Sequence, residues 1–142
     1  MDLNLRGRHA LVCGASAGIG RAVAHELALL GAGVTVLARR ADALQAVVEA
    51  LPRTGDQEHA ALVADAAEPA VLGERVAALA AARPVHILVN NTAGPPGGPA
   101  HAADAEAFRA AFDRHLLAAH ALVQATLPGM RAAGWGRVVN VV

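Results

Sequence analysis

The stretch "GASAGIG" at 14–20 places glycines at 14, 18 and 20, the pattern G-x-x-x-G-x-G, with Ser16 among them. Residues without a Cβ permit a sharp turn and let backbone N–H groups close on a diphosphate, and a helix beginning there adds its positive dipole end. Gly14, Ser16, Gly18, Ile19 and Gly20 are therefore candidate diphosphate contacts, with Ser16 contributing a hydroxyl donor. About 20 residues beyond such glycines, an NAD site places an acid against the ribose hydroxyls. Here the residues are Ala38, Arg39 and Arg40, and no Asp or Glu lies between Glu26 and Asp42. The planar fork of Arg39 suits a 2′-phosphate, which predicts NADP in preference to NAD. An ordinary strand-to-helix turn and a pair of solvated arginines are the competing explanations. A phosphate loop of the Gly-Lys-Ser/Thr kind is disfavoured, because the chain has no Lys.

What precedes and follows the glycines favours the nucleotide. "HALVC" (9–13) is a short apolar run that ends at Gly14, and "IGRAVAHELALL" (19–30) spaces its apolar residues as a helix does. Strand-like runs recur at 34–38, 60–64, 86–90 and 137–142, separated by helical patterns at 41–51, about 69–82 and within 104–132. Five strands alternating with four helices predict a doubly wound α/β sheet in three layers, all parallel, its strands buried on both faces. "GPPGGP" (94–99) is too short for an interdomain linker and is expected to be a loop beside the site.

Twelve Arg balance twelve Asp and Glu, so no basic face argues for nucleic acid or an anionic membrane. No apolar run reaches the ~18 residues of a spanning helix. The single Cys13 cannot form an intramolecular disulfide and the opening "MDLNLRGRHA" lacks a signal-peptide run, which predicts a cytoplasmic protein. The histidines show no metal-ligand spacing, so no metal site is expected.

Taken together, the motifs resemble those of the short-chain dehydrogenase/reductase family along essentially the whole chain. The family's T-G-x-x-x-G-x-G matches Cys13 to Gly20, with Cys13 in place of Thr. Asp65, with Ala66 after it, stands where the family meets the adenine ring. The family's N-N-A-G matches Asn90, Asn91, Thr92 and Ala93, with Gly94 one place late. "LPGMRAAGWGRVVNVV" (127–142) is similar to the segment that delivers the catalytic Ser. The resemblance implies a Rossmann domain over 1–142 that is incomplete after the fifth strand. A Ser and then a Tyr-x-x-x-Lys would follow, the Tyr exchanging a proton and the Lys lowering its pKa. The chain contains neither Tyr nor Lys. His115, thirteen residues before Pro128, falls at the position of the family's active-site Asn and is the candidate for a proton relay.

The resemblance thus implies an NADP-dependent oxidoreductase acting on a small carbonyl or alcohol substrate, similar to 3-oxoacyl-thioester reductases, and a homo-oligomer when complete. These 142 residues alone are expected to be inactive. The alternative is a non-catalytic NAD(P)-binding sensor or partner module, which the missing Tyr and Lys would fit.

Overall fold

A computed structural model describes residues 2–92, 94 and 97–141. Its elements run β1 (His9–Cys13), α1 (Gly18–Leu29), β2 (Gly33–Ala38), α2 (Ala41–Ala50), β3 (His59–Val63), α3 (Pro69–Ala82) and β4 (Ile87–Asn90), followed by α4 (Ala105–Phe112), α5 (Ala118–Ala132) and β5 (Arg137–Asn140). A π turn over Asp113–Leu117 joins α4 to α5, so the predicted long helix is continuous but underwound at one place. All strand pairings are parallel and the order is β3-β2-β1-β4-β5.

Side chains alternate between two apolar layers because successive strand residues face opposite ways. Ala10, Val12, Val34, Val36, Ile87 and Val89 meet α1 and α2 on one face, where Ala24 and Ala28 let α1 come close to the sheet. Leu11, Leu37 and Leu88 meet Leu72 and Val76 of α3 and Leu122 and Met130 of α5 on the other. Leu11, Leu44, Leu72, Leu88 and Leu122 are essentially without solvent contact. Each such side chain contributes about 1.5–3 kcal/mol relative to exposure.

Burial on both faces holds for β1, β2 and β4 but not for every strand. β3 is only half-buried and β5 is exposed along its length. Both are edge strands in this order, so each has a single neighbour and less covering helix than the centre. Their β-branched and apolar residues therefore do not imply a buried position.

Candidate cofactor site

The reversal of chain direction about β1 opens a cleft at the carboxyl ends of the strands, where α/β sheets collect ligands. Its volume is about 350 Å3. One wall is the turn after β1. Gly14 and Gly18 have φ of +59° and +53°, the left-handed region that favours glycine. A Cβ at Gly14 would run into the Asn91 carbonyl, and one at Gly20 into the Gly14 carbonyl, so turn, helix and β4 loop interlock. A Cβ at Gly18 would meet only open space.

The start of α1 carries no side-chain cap. Its N-cap is Ala17, which offers no side-chain acceptor, and the first turn carries no acid. The leading N–H groups of a helix lack intrahelical partners, and an oxyanion is their natural complement. Ser16 and Ala17 line the cleft here, and Ile19 is 60% exposed on the first turn.

Across the cleft the ends of β2 and β3 supply Arg39, Arg40, Asp65 and Ala66. Arg40 is turned to Asp42, with Nη2 3.4 Å from Oδ2. Arg39 has no ion-pair partner among the described residues. Asp65 Oδ1 accepts from the Ala67 amide at 2.9 Å, which fixes the loop below the carboxylate. Cys13 closes the floor, and burial pushes its thiol up to about 12.

The β4 end divides the paired asparagines. Asn91 lines the cleft, and its Nδ2 donates to the Cys13 carbonyl at 3.4 Å. Asn90 is buried instead, donating through Nδ2 to Asn140 Oδ1 of β5 at 2.8 Å. Consecutive strand residues point to opposite faces, which separates the two. Gly94 is exposed with open space around it, and Ala93 lies outside the described residues.

The π turn brings His115 to the mouth of this site. Its Nδ1 is 2.7 Å from Thr92 Oγ1, joining the helix to the loop after β4. Arg114, beside it in sequence, lines the cleft as well. Inserted π turns often re-aim side chains at functional sites. Sequence reasoning singled out Gly14, Ser16, Arg39, Asp65 and Ala66, all of which line the cleft, but missed Asn91, Thr92, Arg40 and Arg114 as lining residues. Strand alternation was the available signal for Asn91; nothing local marked Arg114. Among the described residues no group of three His, Cys, Asp or Glu could hold a metal, and no helix is long and apolar enough to cross a membrane.

Known proteins share this fold. D-erythrulose reductase from Gallus gallus is 40% identical over 141 residues, covering 99% of this chain and 54% of the relative. The 3-oxoacyl-(acyl-carrier-protein) reductase FabG of Pseudomonas aeruginosa is 34% identical over 144 residues, covering 98% of this chain and 56% of the relative. A 3-oxoacyl (acyl-carrier-protein) reductase from Agrobacterium tumefaciens, solved with NADP bound, superposes with a TM-score of 0.89 at 31% identity, over 98% of this chain and 54% of its own. The L-sorbose reductase of Gluconobacter frateurii, solved with NADPH and L-sorbose, gives 0.89 at 28%, over 99% and 54%. The chain spans about half the length of the curated relatives it matches. The short chain dehydrogenase family model matches residues 8–142, and the chain belongs to that family.

Proposed function

We propose that the chain is the cofactor-binding part of an NADP(H)-dependent oxidoreductase that moves hydride between nicotinamide and a small carbonyl or alcohol. The observation that carries this reading is the uncapped start of α1 beside a cleft whose opposite wall bears Arg39, which has no ion-pair partner among the described residues. The residues present fit the group. Gly14, Gly18 and Gly20 leave a cradle that side chains would fill or strain, and the amides of the first helical turn, with Ser16 and Ile19, hold the diphosphate. Arg39 takes the 2′-phosphate, while Asp65 and Ala66 flank the adenine. Asn90, Ala93 and Gly94 belong to the nicotinamide end, Asn90 by holding β4 against β5 and Asn91 by bracing the turn. His115, held by Thr92, orients a water or proton carrier at the mouth of the cleft.

When bound, the cofactor supplies the hydride. The chain's own residues bind and orient it, but they include no Tyr or Lys to exchange and tune the substrate proton. General acid–base help is worth about 10²–10⁴-fold. These 142 residues are therefore expected to bind NADPH without turning over alcohols or carbonyls. That absence also favours the second reading, an NADP-binding sensor or partner module. The intact mass of the gene product distinguishes the two: a longer protein carrying Tyr-x-x-x-Lys supports the enzyme, whereas a 142-residue product supports the module. The balanced charge fits a protein without nucleic-acid partners, a cytoplasmic location is proposed from the single Cys13 and the opening residues, and the complete protein is proposed to be a homo-oligomer.

Titration with NADPH and NADH by nicotinamide fluorescence tests the cofactor assignment. NADPH is expected to bind about tenfold or more tightly, the worth of a charge-assisted contact. Arg39→Asp should shift the preference towards NADH; equal affinities in the unaltered protein refute the role of Arg39.

A further inference from the structure

A second cavity, of about 500 Å3, lies at the opposite end of the sheet, where the strands begin. Three arginines from separate parts of the chain line it. Arg6 and Arg8 precede β1, and Arg83 ends α3. Two glycines make room for them: a Cβ at Gly33 would displace the Arg83 guanidinium, and one at Gly31 would press on the Arg6 stem. Arg83 Nη1 and Nη2 donate to the Glu58 carbonyl at 3.2 and 3.3 Å. Arg8 lies 4.3 Å over the ring of Trp135.

These contacts engage the guanidinium groups without neutralising them. Among the described residues, none of the three is ion-paired, and the wall carries one acid, the exposed Asp56. His9 and His86 stand beside them. Burial first and the Arg83 charge next hold His9 down to about 4; burial and then Arg8 lower His86. The concave face is thus positive, with five donors on each guanidinium and only part of that capacity used.

We propose that this cavity binds a small phosphate-bearing anion, with Arg6, Arg8 and Arg83 as its cationic ligands. Guanidinium forks pair bidentately with oxyanions, and a tetrahedral group offers oxygens in three directions where a planar carboxylate offers one edge. The ligand would tie the segment before β1 to the turn between α3 and β4. This site is separate from the cofactor cleft, which opens at the other ends of the same strands.

Trp135 is the single Trp in a chain without Tyr, and it lies edge-on to His86 with ring centres 6.5 Å apart, so its emission reports on this edge. Titrating the protein with inorganic pyrophosphate at constant ionic strength should give a saturable change in Trp135 emission, with calorimetry giving the affinity. The tricarboxylate tricarballylate should bind at least about tenfold more weakly, its anionic groups being planar carboxylates rather than tetrahedral oxyanions. Arg83→Gln and Arg6→Gln should each weaken pyrophosphate binding by about tenfold or more. Arg109→Gln, on the exposed face of α4 and outside both cavities, should leave it unchanged. Circular dichroism checks the fold of each variant, and Arg6→Gln, on an exposed residue, carries the test if Arg83→Gln unfolds. Any of three results overturns the proposal: no saturation up to roughly 10 mM pyrophosphate, an equal response to tricarballylate, or undiminished binding in the folded cavity variants.

Discussion

Gly14 and Gly18 share a backbone conformation but stand in different surroundings. Gly14→Ala adds a Cβ into the Asn91 carbonyl at a φ of +59°, so both strain and collision act. A loss of about 1–3 kcal/mol of stability is expected, read as a lower urea midpoint with unchanged slope. At Gly18 the same substitution meets open space and incurs only the left-handed penalty, about 1–2 kcal/mol. Gly18→Val should therefore leave a folded protein, checked by circular dichroism, that no longer binds NADPH because the side chain occupies the diphosphate's approach. A folded Gly18→Val with unaltered affinity contradicts the cradle. Cys13 illustrates burial acting on chemistry. A thiol at about 12 carries almost no thiolate at neutral pH, so Ellman's reagent should react with it only at the rate of unfolding.

At the scale of elements, three histidines fasten the starting edge of the sheet. His9 donates through Nδ1 to the Pro84 carbonyl at 3.1 Å and accepts from Thr35 Oγ1 at Nε2, 2.8 Å away. His86 Nδ1 accepts the His9 amide at 3.1 Å, and His59 Nδ1 accepts the Val34 amide at 3.2 Å. The accepting bonds at His9 Nε2, His86 Nδ1 and His59 Nδ1 each need a neutral ring with a bare nitrogen, and burial lowers all three pKa values. A folded pKa below the unfolded one means that the unfolded chain binds more protons, so stability is present above 6.5 and is lost as the pH falls towards 4. The slope is up to about 1.4 kcal/mol per pH unit for His9. Urea midpoints measured across this range should fall with acidification, and His9→Gln should flatten the dependence. A stability that is level or rises on acidification contradicts the assignment. None of these roles was visible as a motif, because each partner lies 25 to 77 residues away in the chain, except the Pro52 carbonyl beside His59.

At the scale of the whole molecule, two apolar surfaces stand open, one on α4 and the π turn and one on β5. Phe108, Phe112 and Leu116 follow at intervals of four and are 58, 52 and 55% exposed, and β5 presents Val138 and Val139 on an edge bonded only to β4. Exposed apolar faces and open strand edges both favour association. Light scattering of the 142-residue chain should show concentration-dependent growth that Phe112→Glu with Val139→Lys reduces; a monodisperse monomer at high concentration counts against this. The amino-acid sequence by itself determined the order of elements, the glycine turn and the placing of Gly14, Ser16, Arg39, Asp65 and Ala66 about one cleft. Their signals are local, and parallel strands with right-handed crossovers carry the ends of successive strands to the same edge. Tertiary structure alone decided which strands lie at the edge, why Asn91 rather than Asn90 faces the cleft, how a π turn delivers Arg114 and His115, and that Arg6, Arg8 and Arg83 meet around one cavity. Those outcomes depend on which distant element covers which face, and no periodicity within a single segment encodes that.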